Sequence, residues 1–309
     1  MDFRELTYVL AIAQHQSITK AAESLYVSQP TLSKFLKSLE SELGLRIFRK
    51  LGNKYTLTYA GERYVEKARQ ILQIKSSLER ELADISKNNV GVLKVAFPTM
   101  RCSYMLPYTL PAFRHLYPNV KVHTYDGQSD ELDRKLLSGE ADIVFYTEPR
   151  TPNPDLEYDT LGEDELLICT CKDHPIGRFA TPNPASRYPH LDLTLLQDEL
   201  IIMMLPSQRT GQIFEAISLE EDLHFNNIIY TGNIIAIMEL AAAGYGVSFV
   251  FETHLRHRTS DRKIDCYSFG TPRTASKFVA AYRKGSYLSV YAQDFIELVR
   301  QLYWKYEGV

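Results

Sequence analysis

Short polar side chains and lysines alternate along residues 29–38, which read QPTLSKFLKS. Short hydrogen-bonding side chains suit base edges in the DNA major groove, and lysines suit phosphates. The residues of this kind are Gln29, Thr31, Ser33, Lys34, Lys37 and Ser38. The next segment adds four cations and no acid, namely Arg46, Arg49, Lys50 and Lys54. Residues 30–58 thus carry six Lys/Arg against two Asp/Glu in a chain of net charge -3, which predicts contact with nucleic acid.

Two short helices and a hairpin must position these side chains. Ser17 and Ser28 are good N-caps, Tyr26 and Val27 form the turn between the helices, and Gly44 ends the second helix. Pro30 is tolerated in the first turn, and the buried stripe consists of Leu32, Leu36, Leu39 and Leu43. Residues 45–49 and 54–58 read as strands around Gly52 and Asn53. The pattern predicts a winged helix-turn-helix that places its second helix in a major groove.

The charge of the chain is divided between its two parts. Residues 1–90 carry fourteen Lys/Arg and ten Asp/Glu, whereas the remainder carries twenty-one and twenty-eight. At 309 residues with 45% hydrophobic residues, the chain is long enough for two or three domains. We find no signal-peptide pattern and no apolar run of about 20 residues, the length of a membrane span. The four cysteines have no framework spacing. We therefore expect a soluble, cytoplasmic protein with no membrane partner.

A long helix without Pro is predicted from Thr58 to about residue 88. Its stripe follows alternating steps of four and three residues, the a/d register of a coiled coil. The positions are Tyr64, Ala68, Ile71, Lys75, Leu78, Leu82 and Ile85. Because one chain buries such a narrow stripe poorly, we expect the helix to dimerise, with Lys75 tuning the register. The alternative is that the stripe packs on domains of its own chain.

From residue 92 onward, apolar runs alternate with helical segments, which predicts a mainly parallel α/β body. Strands are predicted at 93–97, 120–125, 143–146, 166–171, 200–204, 228–230, 246–251, 264–269 and 278–282. Helices are predicted at 104–116, 130–137, 210–218, 234–243 and 286–304. Segments 166–171 and 264–269 are candidates for crossings between two lobes.

The first strand of this body ends at Pro98, Thr99, Met100 and Arg101, directly before a helix. Ligands of open α/β sheets bind at the carboxyl ends of strands, and helix N-termini with arginine favour anions. We therefore expect an anionic ligand, a carboxylate or another anion, at Arg101. The alternative is a salt bridge from Arg101 to a nearby acid such as Glu148.

A series of short motifs runs along essentially the whole chain, namely Ala21-Ala22, Ser28-Gln29-Pro30, Leu32-Ser33-Lys34, Leu39-Glu40, Leu43-Gly44, Leu57-Thr58, Ala60-Gly61, Leu106-Pro107, Tyr117-Pro118, Gly139-Glu140-Ala141-Asp142, His174-Pro175 and Ala243-Gly244-Tyr245-Gly246. With these motifs in this order and spacing, the chain resembles the LysR-type transcriptional regulators. The resemblance implies a winged helix-turn-helix over residues 1–61 and a dimerising linker helix over 58–88. It further implies a two-lobed α/β effector domain of the type 2 periplasmic-binding-protein fold over 91–309. Lobe 1 would comprise about 91–163 and 268–309, and lobe 2 about 164–267.

The family pattern also implies site residues. DNA would be contacted by Gln29, Pro30, Thr31, Ser33 and Lys34 on the recognition helix and by Lys50, Asn53 and Lys54 on the wing. The effector would be contacted by Thr99, Met100, Arg101, Gln128, Ser129, Pro206, Ser207, Gln208, Thr231 and Phe249. Implied partners are promoter DNA, a small-molecule effector, further copies of the chain up to a tetramer, and RNA polymerase if the protein is an activator. The proline-rich segment 176–190 is longer than usual for such proteins, and we interpret it as a surface excursion.

Other functions have weaker sequence support. No P-loop, nucleophile elbow, zincin motif or dinucleotide loop is present, so we expect neither an enzyme nor a bound cofactor. His254 and His257 are expected on the surface rather than at a metal site, and Cys169 and Cys171 in the core. Cys102 adjoins Arg101 at a predicted helix start, where a thiolate would be stabilised, so a redox-sensing regulator is an alternative. A solute-binding protein would share the body but lack residues 1–61.

Overall fold

The computed structural model describes residues 2–52, 54–85, 90–258 and 260–305. The chain divides into two compact units. The first comprises residues 1–88 with 286–289, and the second comprises residues 89–285 with 290–309. The sequence-based division into residues 1–61, 58–88 and 91–309, with two lobes in the last part, stays a prediction.

The first unit contains the helix-turn-helix and the wing. Its elements are α1 (Phe3–His15), α2 (Ile18–Ser24), α3 (Gln29–Leu43), β1 (Phe48–Leu51), β2 (Lys54–Leu57) and α4 (Tyr59–Ile85). The predicted caps are confirmed, because Ser17 accepts from Lys20 N and Ser28 from Thr31 N. Gly44 follows α3 with a left-handed φ of 65°, a conformation that glycine adopts without steric cost. Helix α1, which the sequence reading missed, begins with a capping box between Asp2 and Glu5.

The helices of this unit pack around one apolar core. Leu32, Leu36 and Leu39 face inward as predicted, against Ala21 and Ala22 of α2. Leu43, the fourth member of the predicted stripe, is 41% exposed. The wing is an antiparallel pair in which Phe48 lies opposite Leu57. Strand β1 starts three residues later than predicted, and Asn53 lies outside the described residues.

The second unit is an α/β body. Its first half contains β3 (Gly91–Pro98), α5 (Thr99–Leu116), β4 (Val120–Gly127), α6 (Ser129–Ser138), β5 (Ile143–Thr147) and β6 (Leu156–Cys171). Its second half contains β7 (Leu200–Met204), α7 (Arg209–Glu220), β8 (Asn227–Thr231), α8 (Ile234–Ala242), β9 (Val247–Phe251), α9 (Glu252–Arg256), β10 (Ile264–Tyr267), β11 (Ala275–Arg283) and α10 (Val290–Lys305). Every predicted strand and helix of this body is present, but α5 begins five residues earlier than predicted and α10 four residues later.

The strands described after residue 90 form one sheet in the order β4-β3-β5-β11-β6-β9-β7-β8, with β10 paired to β6. Strand β6 spans both lobes, because its residues 156–165 pair with β11 and its residues 166–171 pair with β9 and β10. We call the part with β3, β4, β5 and β11 lobe 1, and the part with β7–β10 lobe 2. Pairing is parallel at both flanks of the sheet but antiparallel along β6 and β11, so the prediction of a mainly parallel sheet is wrong at its centre.

The proline-rich segment contains a short 3₁₀ helix, Pro175–Phe179, and returns to the sheet. His190 forms isolated bridges with Thr181 and Ser268. Ile176 and Leu191 are buried in the lobe 2 core, so both ends of the segment are anchored. In the part of the chain that is described, no helix is long and apolar enough to cross a membrane.

Candidate DNA-binding surface and effector cleft

The outer face of α3 carries the side chains predicted to contact DNA. Gln29, Pro30, Thr31, Lys34 and Lys37 are exposed, and Ser33 is half-buried. The hydroxyl of Thr31 lies 2.7 Å from that of Ser28, so the start of the helix holds this side chain in place. The face is polar and cationic because the apolar residues of α3 turn toward the core.

Glu40, a buried acid on α3, connects the recognition helix to the wing. It is 8% exposed and accepts hydrogen bonds from the backbone N–H groups of Ile47 (2.8 Å) and Phe48 (3.1 Å) and from the guanidinium of Arg46 (3.0 Å). Three donors on one carboxylate fix where β1 begins relative to the helix. Lys50 and Lys54, both exposed, are carried by the wing held in this way. Sequence reasoning did not assign Glu40 this role, because its partners are recognisable only after the chain has turned.

The predicted apolar stripe of the linker helix α4 is buried at its start and exposed farther along the helix. Ala68 is 1% exposed and Tyr64 packs against the core of the first unit, so the start of the stripe is covered by its own chain. Farther along, Leu78 and Leu82 are 54% and 55% exposed. Ile74, outside the predicted register, is 70% exposed. Lys75 pairs with Glu79 and lies 5.6 Å from the centre of the Phe3 ring. Ile71 is half-buried, and the side chain of Ile85 lies outside the described residues.

A cleft in the second unit lies where helices of both lobes begin. Lobe 1 contributes the starts of α5 and α6, and lobe 2 contributes the starts of α7 and α8. The cavity has a volume of about 780 Å³, which is in the range of small-molecule sites. It lies at the carboxyl ends of strands β3, β4, β7 and β8, as expected for an α/β sheet.

Six of the predicted effector residues line this cleft: Thr99, Met100, Arg101, Gln128, Ser129 and Gln208. Pro206, Ser207 and Thr231 are not among the described residues that line it. The assignment of Phe249 is wrong, because Phe249 lies in the lobe 2 core and is not among the described residues that line the cleft. Phe251 lines the cleft instead, since it stands two residues closer to the carboxyl end of β9.

Arg101 is held inside the protein by a buried ion pair. Its Nη2 lies 2.8 Å from Oδ2 of Asp164, and the two side chains are 2% and 1% exposed. Further contacts join it to Thr147 (3.3 Å), to the Tyr104 hydroxyl (3.3 Å) and to the face of Phe278. Arg101 therefore forms a salt bridge, as the alternative prediction stated, but its partner is Asp164 and not Glu148.

Asp164 joins Arg101 of lobe 1 to Thr253 of lobe 2. It also accepts hydrogen bonds from the backbone N–H (3.1 Å) and the hydroxyl (2.5 Å) of Thr253 in α9. Because Asp164 already accepts from three donors, Arg101 Nη2 and the two of Thr253, Arg101 supports the junction of the lobes and is no longer the prime candidate for an anion ligand.

Three other cleft residues have buried polar atoms without a hydrogen-bond partner among the described residues. They are Nε and Nη2 of Arg209, Oε1 of Gln208 and Nδ1 of His254. Buried polar atoms are normally satisfied, so such atoms beside a cavity indicate where a ligand or water completes the structure. Of these three, only Gln208 was predicted at the effector site, because Arg209 stands in no motif and His254 was expected on the surface.

His254 is not a surface residue, contrary to the prediction, and His257 is half-buried. His254 is 8% exposed, and burial lowers its pKa well below the ordinary value, with the charge of Arg101 adding to the shift. The ring of His257 stacks on Tyr104 with centroids 4.0 Å apart, and burial lowers its pKa as well. No group of three or more His, Cys, Asp or Glu side chains within the described ranges could hold a metal ion.

The cysteines have two different surroundings. Helix α5 begins at Thr99, so Cys102 is its fourth residue, and burial raises the pKa of this thiol, with a further contribution from Asp126. The expected stabilised thiolate is therefore not what this position favours. Cys169 is in the lobe 2 core as predicted, with its sulfur 3.7 Å from that of Cys266, whereas Cys171 is half-buried.

Comparison with known proteins places both units in one family. Residues 3–62 match the bacterial regulatory helix-turn-helix protein, lysR family, and residues 86–304 match the LysR substrate binding domain. The chain is 26% identical to the uncharacterized HTH-type transcriptional regulator YcgK of Bacillus subtilis, over 97% of this chain and 94% of that protein. It is also 26% identical to the hydrogen peroxide-inducible genes activator of Escherichia coli, over 97% and 95%.

Solved structures agree with this result. A full-length OxyR from Pseudomonas aeruginosa that carries a Cys-to-Asp substitution matches with a TM-score of 0.73 and 26% identity, over 97% of this chain and 94% of that one. The order of the units, the cleft between two lobes and the matched models lead to the same family. The chain belongs to the LysR-type transcriptional regulators, which are DNA-binding proteins with an effector-binding domain.

Proposed function

We propose that this protein reads promoter DNA with α3 and its wing and that a small molecule in the cleft controls the response. One observation carries the DNA half of the proposal: the polar, cationic face of α3 is exposed while Glu40 holds the basic wing beside it. The predicted roles are divided by chemistry. Lys34, Lys37, Lys50 and Lys54 would bind phosphates, and Gln29, Thr31 and Ser33 would contact bases. Pro30 and Asn53 are further DNA contacts that the family pattern implies.

We further propose that α4 pairs with α4 of a second copy. Ile74, Leu78 and Leu82 place three large apolar side chains in solvent along one helix, an arrangement that a partner helix would cover. Pairing would present two recognition helices to two half-sites of one operator. Assembly up to a tetramer, contact with RNA polymerase at activated promoters and a cytoplasmic location follow from this function and are part of the proposal. It assigns no catalytic step to the chain.

Binding of duplex DNA tests the proposal directly. The wild-type protein is expected to retard a fragment from upstream of its own gene in a gel-shift assay, and binding should weaken steeply as salt rises. Lys34→Ala should weaken retardation at every salt concentration. Lys67→Ala is the matched control, because it removes the same charge from the exposed surface of α4. Equal losses in both variants would contradict the assignment of α3.

A second candidate function is redox sensing, because a relative is named a hydrogen peroxide-inducible genes activator. Burial raises the pKa of the Cys102 thiol, which works against a reactive thiolate at that position. We therefore expect Cys102 to react slowly with a thiol reagent and DNA binding to be unchanged after peroxide. Rapid modification of Cys102 together with altered DNA binding, abolished in Cys102→Ser, would favour the redox function instead.

A further inference from the structure

The starts of three helices at the cleft have no side-chain cap. The cap residues of α5, α6 and α7 are Pro98, Gln128 and Gln208, and none of their side chains accepts from the first turn. At α8, by contrast, Asn233 accepts from Ile235 and Ala236. Uncapped helix starts leave backbone N–H groups without intrahelical partners and carry partial positive charge. Three of them around one cavity favour a negatively charged ligand.

Arg209, the first residue of α7, adds a full positive charge to this cavity. Its side chain is 12% exposed, and its Nη1 donates to Gln212 at 3.3 Å. Nε and Nη2 are buried and have no hydrogen-bond partner among the described residues. A guanidinium with two such donors is suited to hold a carboxylate by two parallel hydrogen bonds.

The acid nearest to Arg209 belongs to the other lobe and is already engaged. Oδ2 of Asp133 on α6 lies 3.8 Å from Nη2 of Arg209, which is close enough for charge attraction but too far for a hydrogen bond. The Tyr146 hydroxyl donates to Oδ1 of the same carboxylate at 2.5 Å. Arg209 also lies over the Tyr146 ring, with 5.6 Å to its centroid. The ion contact between Arg209 of lobe 2 and Asp133 of lobe 1 is therefore weak, because no direct hydrogen bond joins the two side chains.

Gln208 indicates a second chemical group that a ligand of the cleft must carry. Its Nε2 donates to the carbonyl oxygen of Gly232 at 3.3 Å, which fixes the orientation of the amide. The atom left without a partner is therefore the acceptor, Oε1. A ligand that satisfies it must bring an O–H or N–H donor.

We propose that Arg209 is the anion-binding residue of the cleft, that its ligand is a small carboxylate that also carries a hydroxyl or amino donor, and that Asp133 competes with the ligand for Arg209. The inference rests on the proposed function, because it assumes that the cleft is the effector site. A bound carboxylate draws Arg209 away from Asp133 and weakens the contact between α7 and α6. Ligand binding thereby changes how the lobes are held together.

Binding of defined acids to the full-length protein tests this, by thermal shift and titration calorimetry at constant ionic strength. Malate carries carboxylates and a hydroxyl, succinate carries carboxylates alone, and succinamide is neutral. We expect malate to bind more tightly than succinate and succinamide not to bind. Arg209→Gln should weaken malate binding roughly 10- to 100-fold, the loss expected for hydrogen bonds between charged groups. Asp133→Asn should strengthen it several-fold.

Arg114→Gln is the matched control, because Arg114 is an exposed arginine of α5 and is not among the described residues that line the cleft. It should bind malate like the wild type. The inference is overturned by unchanged affinity in Arg209→Gln, by equal binding of succinamide and malate, or by a wild type that binds neither acid. Gel retardation of upstream DNA, measured in parallel, distinguishes failure of the two proposals. A wild-type protein that does not bind this DNA refutes the proposed function. A wild-type protein that binds the DNA but neither acid refutes this inference alone.

Discussion

Replacing Asp164 by alanine should destabilise the effector domain severely. The change removes the acceptor for Arg101 Nη2 and for both donors of Thr253, and it leaves a guanidinium that is 2% exposed without its counter-ion. Breaking a buried ion pair by removing one partner costs about 3–5 kcal/mol of unfolding free energy. For a domain of this size, each kcal/mol lowers the melting temperature by about 2–4 °C. We therefore expect differential scanning fluorimetry to show a decrease of roughly 6–20 °C.

Two further variants separate the ion pair from the loss of a side chain. The double change Arg101→Met with Asp164→Leu removes both charges and should recover most of the lost stability, because no buried charge is left unpaired. Lys277→Ala breaks the half-exposed pair with Glu148 and should cost less than about 1 kcal/mol. If Asp164→Ala melts like Lys277→Ala, or if the double variant is as unstable as the single one, Arg101 does not have the supporting role assigned to it here.

Four shorter predictions concern the remaining sites. Glu40→Ala should lower stability by roughly 2–4 kcal/mol, measured by urea denaturation, because it leaves two buried backbone N–H groups unsatisfied. In fluorescence anisotropy, Lys54→Ala should reduce the salt slope of DNA binding by about 1 for all sequences, whereas Gln29→Ala should relax preference at specific base pairs by about 1–3 kcal/mol. Leu78→Asp should give monomers in size-exclusion chromatography with light scattering. Because His254 stays neutral in the folded protein, stability should fall as pH drops below about 6.5, where the unfolded chain gains a proton, and His254→Gln should flatten this dependence.

Matched controls accompany these variants. Glu42→Ala removes an exposed acid of the same helix and should leave stability within about 0.5 kcal/mol of the wild type. Lys67→Ala should leave the salt slope unchanged. Leu219→Asp changes an exposed leucine of α7 and should not produce monomers. His123→Gln changes an exposed histidine and should keep the pH dependence, because His254 is still present. Any of these four variants that behaves like its matched control would count against the corresponding assignment.

Local signals were sufficient to predict α2, α3 and the wing of the DNA-binding unit, but not α1. The positions of Ser17, Ser28 and Gly44 follow from capping rules that act within a few residues, and each was confirmed. The apolar runs of the body predicted its strands for the same reason. The first half of β6, which reads LEYDTLGEDE, escaped prediction because its polar residues are tolerated only through pairing with β11 more than a hundred residues away.

The effector cleft could be predicted only in part, since its chemistry depends on contacts distant in sequence. Arg101 stands at the expected strand end, but its partner Asp164 is separated from it by 63 positions. Phe249 and Phe251 are alike in type, and only the depth of the cleft along β9 decides which one borders it, at about 3.3 Å per strand residue. Arg209 is a candidate because two of its buried donor atoms have no hydrogen-bond partner among the described residues, a property that no sequence pattern contains.

The most direct test of the account is DNase I footprinting of the region upstream of the protein's own gene, with full-length protein at low ionic strength. The account predicts protection of paired half-sites whose centres are separated by whole turns of the double helix, lost as salt is raised. It also predicts that Leu78→Asp, which should prevent pairing of α4, weakens protection of both half-sites together. A wild-type protein that protects no part of this region at low salt would contradict the account.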